Sequence, residues 1–467
     1  MRSRLQLFLT ALLAAALTTA GCQPVAQTPA GTSQPQLGLP EAQDSPAADH
    51  DRYASVEPTG QTVVFWHPYS SPQQETLLDL IDTFNRENSF SITVEAHSLG
   101  SYQDVFSRVL EAANTPAVPD LLAAYQNHAA DLYQQDVLVD LSALVNSPDW
   151  GLSEAERADY PAAVFEQDVF AVFSGARLGF PVSRSAEMLY VNRDWLAELG
   201  FSEPPETPEQ FQAMACAANE SPFSRAVLTG AVGYELDPDA SRMASWAFAF
   251  GADLFDEETN TFTLNGEPVV ESMRFLQGLI QSGCASLASG RYSDREAFGS
   301  GTLLFSGGSS AGMAAIGQAV SDAADFVWET TTLPGTAGQP VTNLYGASLS
   351  ISRSSPDREL AAWLFIRFLS QPEIQAEWAA ATGTIPVRAS AANLLEEVSD
   401  SNSKYRSLVQ SGVVSRTEPS VPGYDAVRQE MEKAMTAIMI GADVQSTLDV
   451  LNQTANEILA EQFSADR

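Results

Sequence analysis

Residue types that carry out catalysis or bind metals occur in this sequence, but their spacing predicts neither kind of site. The four histidines are widely separated, without the H-x-x-x-H or C-x-x-C spacing of zinc sites. The glycine-rich stretch 299–312 lacks the lysine of a phosphate-binding P-loop, and no G-x-S-x-G elbow is present. Adjacent carboxylates such as Glu396 and Glu397 are typical of solvated helix or turn positions rather than of a glycosidase pair. We therefore predict no metal, no cofactor and no enzymatic activity.

The composition argues against several classes of partner. The 467 residues carry 59 Asp and Glu against 24 Lys and Arg, a formal net charge of −35. Such a charge repels phosphate backbones and anionic headgroups, so we expect no nucleic acid partner and no polybasic contact with membranes. It also weighs mildly against an anionic ligand. The length and the apolar fraction of 45% fit a soluble globular protein of two or three compact units.

The N-terminus has the pattern of an export signal. Two arginines precede the apolar run Leu5–Leu17, which is shorter than the roughly 20 residues that span a bilayer. The following T-A-G-C (19–22) resembles a bacterial lipobox, although a leucine is usual at the position of Thr19. This pattern predicts a signal peptide at 1–21 and lipidation of Cys22. The alternative is an ordinary secretory signal with a chance cysteine.

A proline-rich segment separates this signal from the folded part. Residues 23–58 contain six prolines and few large apolar side chains, so they cannot bury enough surface to fold. We predict that 22–58 is a lipid-anchored disordered tether with a reach on the order of 30 Å. The protein would then contact the membrane only through its anchor and face the periplasm or the cell exterior.

Two cysteines remain if Cys22 is acylated. An even number of cysteines in an exported protein is typical of disulfide bonding, so we predict a bond between Cys216 and Cys284. The alternative is a pair of buried free thiols. No basic residue is placed beside either cysteine, which argues against a catalytic thiol.

Strand and helix signals alternate after the tether. The run T-V-V-F-W (62–66) predicts a buried strand, and S-P-Q-Q (71–74) predicts a capped helix start. A strand at 92–94, a helix capped by Ser101 and a strand at 121–124 follow. This alternation predicts parallel strands joined by right-handed crossovers, hence an α/β lobe. Further elements are predicted as strands at 188–191 and 347–351, and as helices at 208–218, at 268–282 and from Pro356 to Ala381, ending at Gly383.

Four stretches carry motifs in a fixed order along the chain. They are VVFWHPYS (63–70) with GSYQD (100–104) and PDLL (119–122), FPVSRSAEMLYVNRDWLAELGFSEPPETPEQF (180–211), GMAAIG (312–317), and LAAWLFIRFLSQPEIQAEWAAATGTIPVR (360–388). Together they resemble the family 1 extracellular solute-binding proteins of bacterial ABC importers, especially the sugar and glycerol-phosphate branch. Val191 and Pro208 depart from this pattern, which has Tyr and Trp there. GMAAIG is similar to a strand that leads to the family's hinge.

The resemblance implies the type II periplasmic binding protein fold, in which two α/β lobes enclose a ligand cleft at a hinge. The first lobe would contain 59–170 plus 320–372, and the second lobe 171–319 plus 373–467. Closure around the ligand would signal occupancy to the membrane permease.

The resemblance also suggests ligand contacts. Tyr102 matches a ligand-contacting tyrosine, and Gln126 stands where the family often has a side chain that bonds hydroxyl groups. Ser185 matches a contacting serine, and Gly346 matches a glycine whose backbone approaches the ligand. The alternatives are a packing role for Tyr102, a solvated loop position for Gln126 and a simple turn at Gly346.

Two aromatic residues complete the predicted site. Trp246 stands where the family carries an aromatic side chain, although its helical spacing from Phe250 fits a core residue equally well. Tyr424 is a candidate stacking surface. Thr384 replaces a tyrosine of the glycerol-phosphate binders, and the segment around Arg416 lacks a clear equivalent of their phosphate-binding arginine. Both departures count against a phosphorylated ligand.

The predicted function is therefore that of a substrate-binding lipoprotein. It would act as a monomer, capture a mono- or oligosaccharide and deliver it to the transmembrane subunits of an ABC permease with a separate ATPase. One alternative is a receptor for glycerol phosphate or another polar solute, which cationic side chains in the cleft would favour. Arg184, Arg388 and Arg416 are the candidate cations. The other alternative is a secreted lipoprotein glycoside hydrolase, which two carboxylates facing each other across the cleft would favour.

Overall fold

Two β-sheets, each covered by helices, organise the folded chain. The computed structural model describes residues 52–70, 73–290, 293–398 and 414–464. One sheet has four strands and the other has seven. We call the four-stranded sheet with its helices the first lobe, and the seven-stranded sheet with its helices the second lobe. The predicted two-lobe α/β fold is confirmed.

The first lobe is built around the strand Thr62–His67. Its parallel neighbours are Thr93–Ser98 and Leu121–Ala124, as the alternating signals in the sequence predict. The fourth strand, Ser348–Ile351, returns from far along the chain and pairs antiparallel with Leu121–Ala124. The other elements up to residue 177 are the helices Gln73–Glu87, Tyr102–Ala112, Gln126–Gln134, Ser142–Val145, Glu154–Ala158 and Ala162–Phe165, and the short strands Val169–Phe170 and Ala176–Arg177.

The second lobe is built around the strand Ser185–Asn192, in which every residue is buried. Leu303–Ser309 pairs with it antiparallel, and Val232–Leu236 lies parallel to Leu303–Ser309 on the far side. The further strands are Ala285–Leu287, Trp328–Thr331, Val341–Tyr345 and Val414–Arg416, with a separate pair Phe255–Asp256 and Thr261–Phe262. The helices after residue 190 are Arg193–Glu198, Pro208–Glu220, Ala240–Ala249, Glu267–Gln281, Ser293–Gly299, Met313–Asp322, Ala389–Val398, Tyr424–Met439 and Val444–Ser464. Two further helices, Pro356–Leu369 and Pro372–Thr382, pack against the core of the first lobe.

Part of the predicted lobe assignment is wrong. The prediction placed 320–372 in the first lobe, but Trp328–Thr331 and Val341–Tyr345 pair antiparallel with Ser185–Asn192 in the second lobe. The chain joins the first sheet only at Ser348–Ile351. Short buried strands carry no local signal for which sheet they join, because pairing is decided by distant residues. The other lobe boundaries stay predictions.

Two local predictions also differ from the structure. GMAAIG, predicted as a strand, begins the helix Met313–Asp322, since alanine and methionine are strong helix formers. The single helix predicted after Pro356 is two helices, and the second begins at Pro372, which cannot continue an α-helix interior. Gly383 ends this second helix with a φ of +70°, as predicted.

The first described residues pack on the first lobe, although the prediction made 22–58 a loose tether. The Tyr53 side chain is buried, and its hydroxyl donates to Oε2 of Glu359 at 2.6 Å. The indole of Trp150 donates to the carbonyl of Tyr53 at 3.0 Å. The buried Tyr53 side chain therefore attaches the end of this segment to the first lobe, although the polar composition of the segment predicts no folding.

The predicted signal peptide, the lipidation site Cys22 and the helix cap at Ser71 lie outside the described residues. They remain predictions. Within the described ranges, no helix combines the length and the apolar character needed to cross a bilayer.

A disulfide bond joins Cys216 to Cys284, and the predicted pairing is thus present. It ties the helix Pro208–Glu220 to the start of the strand Ala285–Leu287 across a sequence separation of 68 residues. We expect the double substitution Cys216→Ser with Cys284→Ser to lower the free energy of unfolding by about 2–4 kcal/mol, because the unfolded chain gains conformational freedom. Urea denaturation of both proteins measures this loss. Equal urea midpoints would contradict the prediction.

Candidate functional site

A cavity of about 460 Å³ lies between the two lobes, and we call it the central cavity. The loop after the strand Leu121–Ala124 opens onto it, in agreement with the rule that α/β sheets bind ligands beyond the carboxyl ends of their strands. Its lining combines tyrosine rings with carboxylate, guanidinium, amide and hydroxyl groups. The lining residues are Tyr102, Gln103, Tyr125, Gln126, Asn127, His128, Gln167, Glu187, Asp239, Ser241, Arg242, Ser309, Tyr345, Glu418, Pro419, Ser420, Tyr424, Asp425 and Arg428.

Tyr102 is positioned by the capping of its helix. Ser101 Oγ accepts a hydrogen bond from the backbone N–H of Asp104 at 3.1 Å, and the Asp104 carboxylate accepts one from the N–H of Ser101 at 2.8 Å. This capping box fixes Tyr102 as the first helical residue. Its ring centroid lies 4.5 Å from that of Tyr125. The first lobe therefore presents two adjacent aromatic rings, of the kind that pack against the apolar faces of sugar rings.

Gln126 lies on the same wall and is held by internal hydrogen bonds. Its Nε2 donates to Oδ1 of Asp168 at 2.9 Å and approaches Ser348 Oγ at 3.3 Å. Asp168 in turn forms a buried ion pair with Arg184, at 3.2 Å between Nη2 and Oδ2. The predicted cation Arg184 is thus paired beneath the cavity wall. Arg184 is therefore already neutralised within the protein.

Glu418 is the most highly connected side chain of the central cavity. Its carboxylate accepts hydrogen bonds from Ser241 Oγ at 2.6 Å, Tyr424 Oη at 2.9 Å and Asn343 Nδ2 at 3.2 Å, and it forms an ion pair with Arg428. Burial raises the pKa of the Glu418 carboxyl, but Arg428 and the three donors outweigh it and leave the pKa lowered. Glu418 is therefore an ionised, fixed acceptor at the cavity wall.

A second buried ion pair joins Arg242 to Glu187. Arg242 lies in the first turn of the helix Ala240–Ala249, which is capped by Asp239. Tyr345 donates to Oε2 of Glu187 at 2.9 Å. A Cβ atom at Gly307 would lie 1.9 Å from Nη1 of Arg242, so this glycine makes room for the guanidinium. The glycine-rich stretch 299–312 thus accommodates a side chain of the cavity lining, which is a different role from that of glycines in a phosphate-binding loop.

Two contacts beside the central cavity join the lobes. His128 Nε2 lies 3.3 Å from Oδ1 of Asp425, and the backbone N–H of Gly423 donates to Oδ1 of Asp131 at 3.0 Å. His128 and Asp131 belong to the helix Gln126–Gln134 of the first lobe, whereas Gly423 and Asp425 stand at the start of a second-lobe helix. The hydrogen bond from His128 is the main reason that the pKa of Asp425 is lowered. The lobes are therefore held together directly at the edge of the site.

The structure places only part of the predicted set at the cavity. Tyr102, Gln126 and Tyr424 line it, although the Tyr424 ring stacks on Phe262 and its hydroxyl donates to Glu418. Ser185 and Gly346 lie outside the lining. Ser185 pairs with Tyr345 where the two strands meet, and the Gly346 backbone approaches Arg184 closely, with a φ of +151°.

The Trp246 assignment needs correction. Its side chain is fully buried in the second lobe, with its ring centroid 5.5 Å from Phe211 and 5.7 Å from Phe275. Its helix presents Ser241 and Arg242, from the first turn, to the cavity instead. The alternative of a core role, open from the sequence, is the one that the packing supports.

Two of the candidate cations, Arg388 and Arg416, do not line the central cavity and form ion pairs with Asp159 and Asp253 instead.

Several residues that do line the central cavity were not among the predicted contacts. Arg242 was detectable in principle, because Asp239 caps a helix that follows a strand and so marks a carboxyl-end loop. The sequence offers no comparable signal for the pairing of Arg428 with Glu418. The unpredicted residues that form the two ion pairs of the cavity lining are Glu187, Arg242, Glu418 and Arg428.

The chain matches the model of a protein family over most of its length. The family description "bacterial extracellular solute-binding protein" matches residues 79–406. The sn-glycerol-3-phosphate-binding periplasmic protein UgpB of Escherichia coli (strain K12) is 22% identical over 348 residues, which cover 72% of this chain and 76% of that protein.

Solved structures show the same fold. The GacH receptor of Streptomyces glaucescens, solved unliganded and with acarbose, matches with a TM-score of 0.72 and 18% identity over 86% of this chain and 98% of its own. UgpB from Mycobacterium tuberculosis, solved with glycerophosphocholine, matches with a TM-score of 0.70 and 23% identity over 86% and 99%. At these identities the likeness establishes the fold.

Proposed function

The chain belongs to the bacterial extracellular solute-binding proteins, and we propose that it captures a carbohydrate between its two lobes for an ABC importer. The observation that carries this proposal is the lining of the central cavity. The paired rings of Tyr102 and Tyr125 offer apolar surface to a sugar ring. The ionised carboxylate of Glu418 and the amide and hydroxyl groups around it can bond several ligand hydroxyls.

The charges of the cavity favour a neutral ligand. The lining contains two guanidinium groups but four carboxylates, and each arginine is already paired with a buried glutamate. An anionic ligand would have to compete with those glutamates. A neutral polyol can instead accept hydrogen bonds from the arginines and donate to the carboxylates without disturbing either pair.

One observation favours the second candidate, a glycerophosphodiester or glycerol phosphate. Among the described residues, the buried Nε of Arg242 has no hydrogen-bond partner, and it could donate to a phosphate oxygen. The relatives bind both classes, since one was solved with acarbose and another with glycerophosphocholine. We rank this candidate second because of the surplus of carboxylates.

We further propose that the protein is exported and anchored by lipid at Cys22. The segment up to residue 51 would then hold the two lobes beside the membrane, where the monomer delivers its ligand to the permease. Differential affinity for the closed state would couple ligand capture to recognition by the transporter. The role is binding without chemistry, since Glu187 and Glu418 are both engaged by arginine and by hydroxyl donors.

A thermal-shift screen of the purified mature protein tests the proposal. Mono- and oligosaccharides, glycerol phosphate and glycerophosphocholine are the probes. At a hundredfold excess over Kd, a true ligand adds about 2.7 kcal/mol to the free energy of unfolding and should raise the melting temperature clearly. Shifts confined to phosphorylated probes would replace the carbohydrate by the second candidate. Release of products from an oligosaccharide would instead indicate a hydrolase.

A further inference from the structure

A second cavity adjoins the central one. This side cavity has a volume of about 640 Å³ and is therefore the larger of the two. Gln167, Glu418, Pro419 and Ser420 line both cavities, so the two spaces meet at these residues. The proposed carbohydrate function involves only the residues of the central cavity.

The side cavity lies between the lobes, as the central cavity does. Phe170 lines it from the first lobe, where it packs with the strand Leu121–Ala124. Phe248 and Leu254 line it from the second lobe, where they belong to the core around the seven-stranded sheet. A ligand reaching this space would therefore still contact both lobes and could still stabilise their closed arrangement.

The chemistry of the side cavity repeats that of the central cavity. Phe255 and Val172, both partly exposed, provide apolar surface. Asp253 and Arg416, which form an ion pair, also line it, and Asn260 adds an amide. Arg416, one of the three candidate cations named from the sequence, is thus neutralised here by a carboxylate. This mixture suits a second hydroxylated ring rather than a phosphate group.

The boundary between the cavities is held in place. Glu418 is bonded to Ser241, Asn343, Tyr424 and Arg428, which fixes the segment 417–420. A ligand that occupied both cavities would have to pass this segment and could bond Glu418 on its way.

We infer that the ligand is a linear oligosaccharide that extends from the central cavity past Glu418 and Gln167 into the side cavity. This inference rests on the proposed carbohydrate function and adds chain length to it. Because both cavities contribute contacts, affinity should increase with each sugar unit until the side cavity is filled.

Calorimetric titration of chain-length series tests the inference. The probes are glucose or xylose and their malto-, cello- and xylo-oligosaccharides of two to six units. In the series that binds, we expect Kd to fall at least tenfold between two and four units. A Kd that is flat from one to six units overturns the inference while leaving the carbohydrate function intact. If no saccharide binds, the proposed function and the inference both fail.

Variants of the side cavity locate the effect. Val172→Trp should obstruct the side cavity and return the tetrasaccharide to the affinity of the disaccharide, whereas Val172→Ala, the matched control, should retain most of the gain. The double variant Arg416→Ala with Asp253→Ala removes an exposed ion pair and should weaken only the longer probes. Unchanged tetrasaccharide affinity in both Val172→Trp and this double variant would contradict occupation of the side cavity.

Discussion

Replacing Glu418 with alanine is expected to abolish ligand binding, with a rise in Kd of more than a hundredfold, and to destabilise the fold by about 3 kcal/mol. The carboxylate is largely buried and accepts hydrogen bonds from Ser241, Asn343 and Tyr424. Its loss leaves the Arg428 guanidinium largely buried without its counter-charge, which is the costly way to break an ion pair. Calorimetric titration and urea denaturation measure the two effects separately.

The matched control for Glu418 is Glu430→Ala on the helix Tyr424–Met439. Glu430 pairs with Lys433 at 2.7 Å, but Lys433 is exposed and Glu430 partly exposed, so loss of the Glu430 carboxylate should change stability by less than about 0.5 kcal/mol. Binding should be unaffected. If Glu418→Ala behaved like this control, the assignment of Glu418 to the ligand site would be wrong.

The pH dependence of stability offers a second readout for the same carboxylate. The pKa of Glu418 is lowered in the folded protein from the ordinary value of 4.5. The stabilisation is therefore fully present above that ordinary value and is lost as the pH falls through the lowered pKa. The Glu418→Gln variant lacks this titration, so its stability should fall less steeply on acidification than that of the wild type.

The features that could be predicted from sequence are those encoded by neighbouring residues. The strand at 62–66, the cap at Ser101 and the glycine at 383 each follow from a local pattern, and the structure contains all three. Tyr102 could be placed at the cavity because its cap and its motif agree.

The features that escaped prediction depend on contacts between distant residues. Glu187 and Arg242 are 55 positions apart in sequence. They meet because the strand Ser185–Asn192, which carries Glu187, pairs with Leu303–Ser309, whose Gly307 lies against the Arg242 side chain. Gly307 belongs to the glycine-rich stretch 299–312, from which no role for this residue could be predicted, and the structure shows that it makes room for the Arg242 side chain. Tryptophan is a residue type that often stacks on sugar rings, but only the structure shows that the Trp246 side chain is buried in the core. A prediction from residue type alone therefore assigns too many aromatic residues to ligand contact and misses the buried ion pairs at the cavity.

Substitutions of the Arg242–Glu187 pair distinguish an effect on ligand binding from an effect on stability. The single substitution Arg242→Met is expected to destabilise the protein by about 3–5 kcal/mol, because it leaves the Glu187 carboxylate buried without a counter-charge. Burial already raises the pKa of Glu187, which indicates how poorly this site tolerates an unpaired negative charge. The double substitution Arg242→Met with Glu187→Leu removes both charges and should recover most of that stability, since apolar pairs of similar volume commonly replace buried ion pairs without loss.

Binding should not recover in the double variant. Both side chains line the central cavity, and the apolar replacements offer no hydrogen bonds to ligand hydroxyls, so we expect Kd to stay at least a hundredfold above the wild-type value. Arg108→Met with Glu111→Leu provides the matched control, because this surface pair at 3.1 Å is mostly exposed and neither residue lines the central cavity. Urea denaturation and calorimetric titration of the wild type and these three variants complete the comparison. A double variant that regained both stability and affinity would make the pair a purely structural element, and the ligand hydroxyls would then have to be bound by Glu418 and its neighbours.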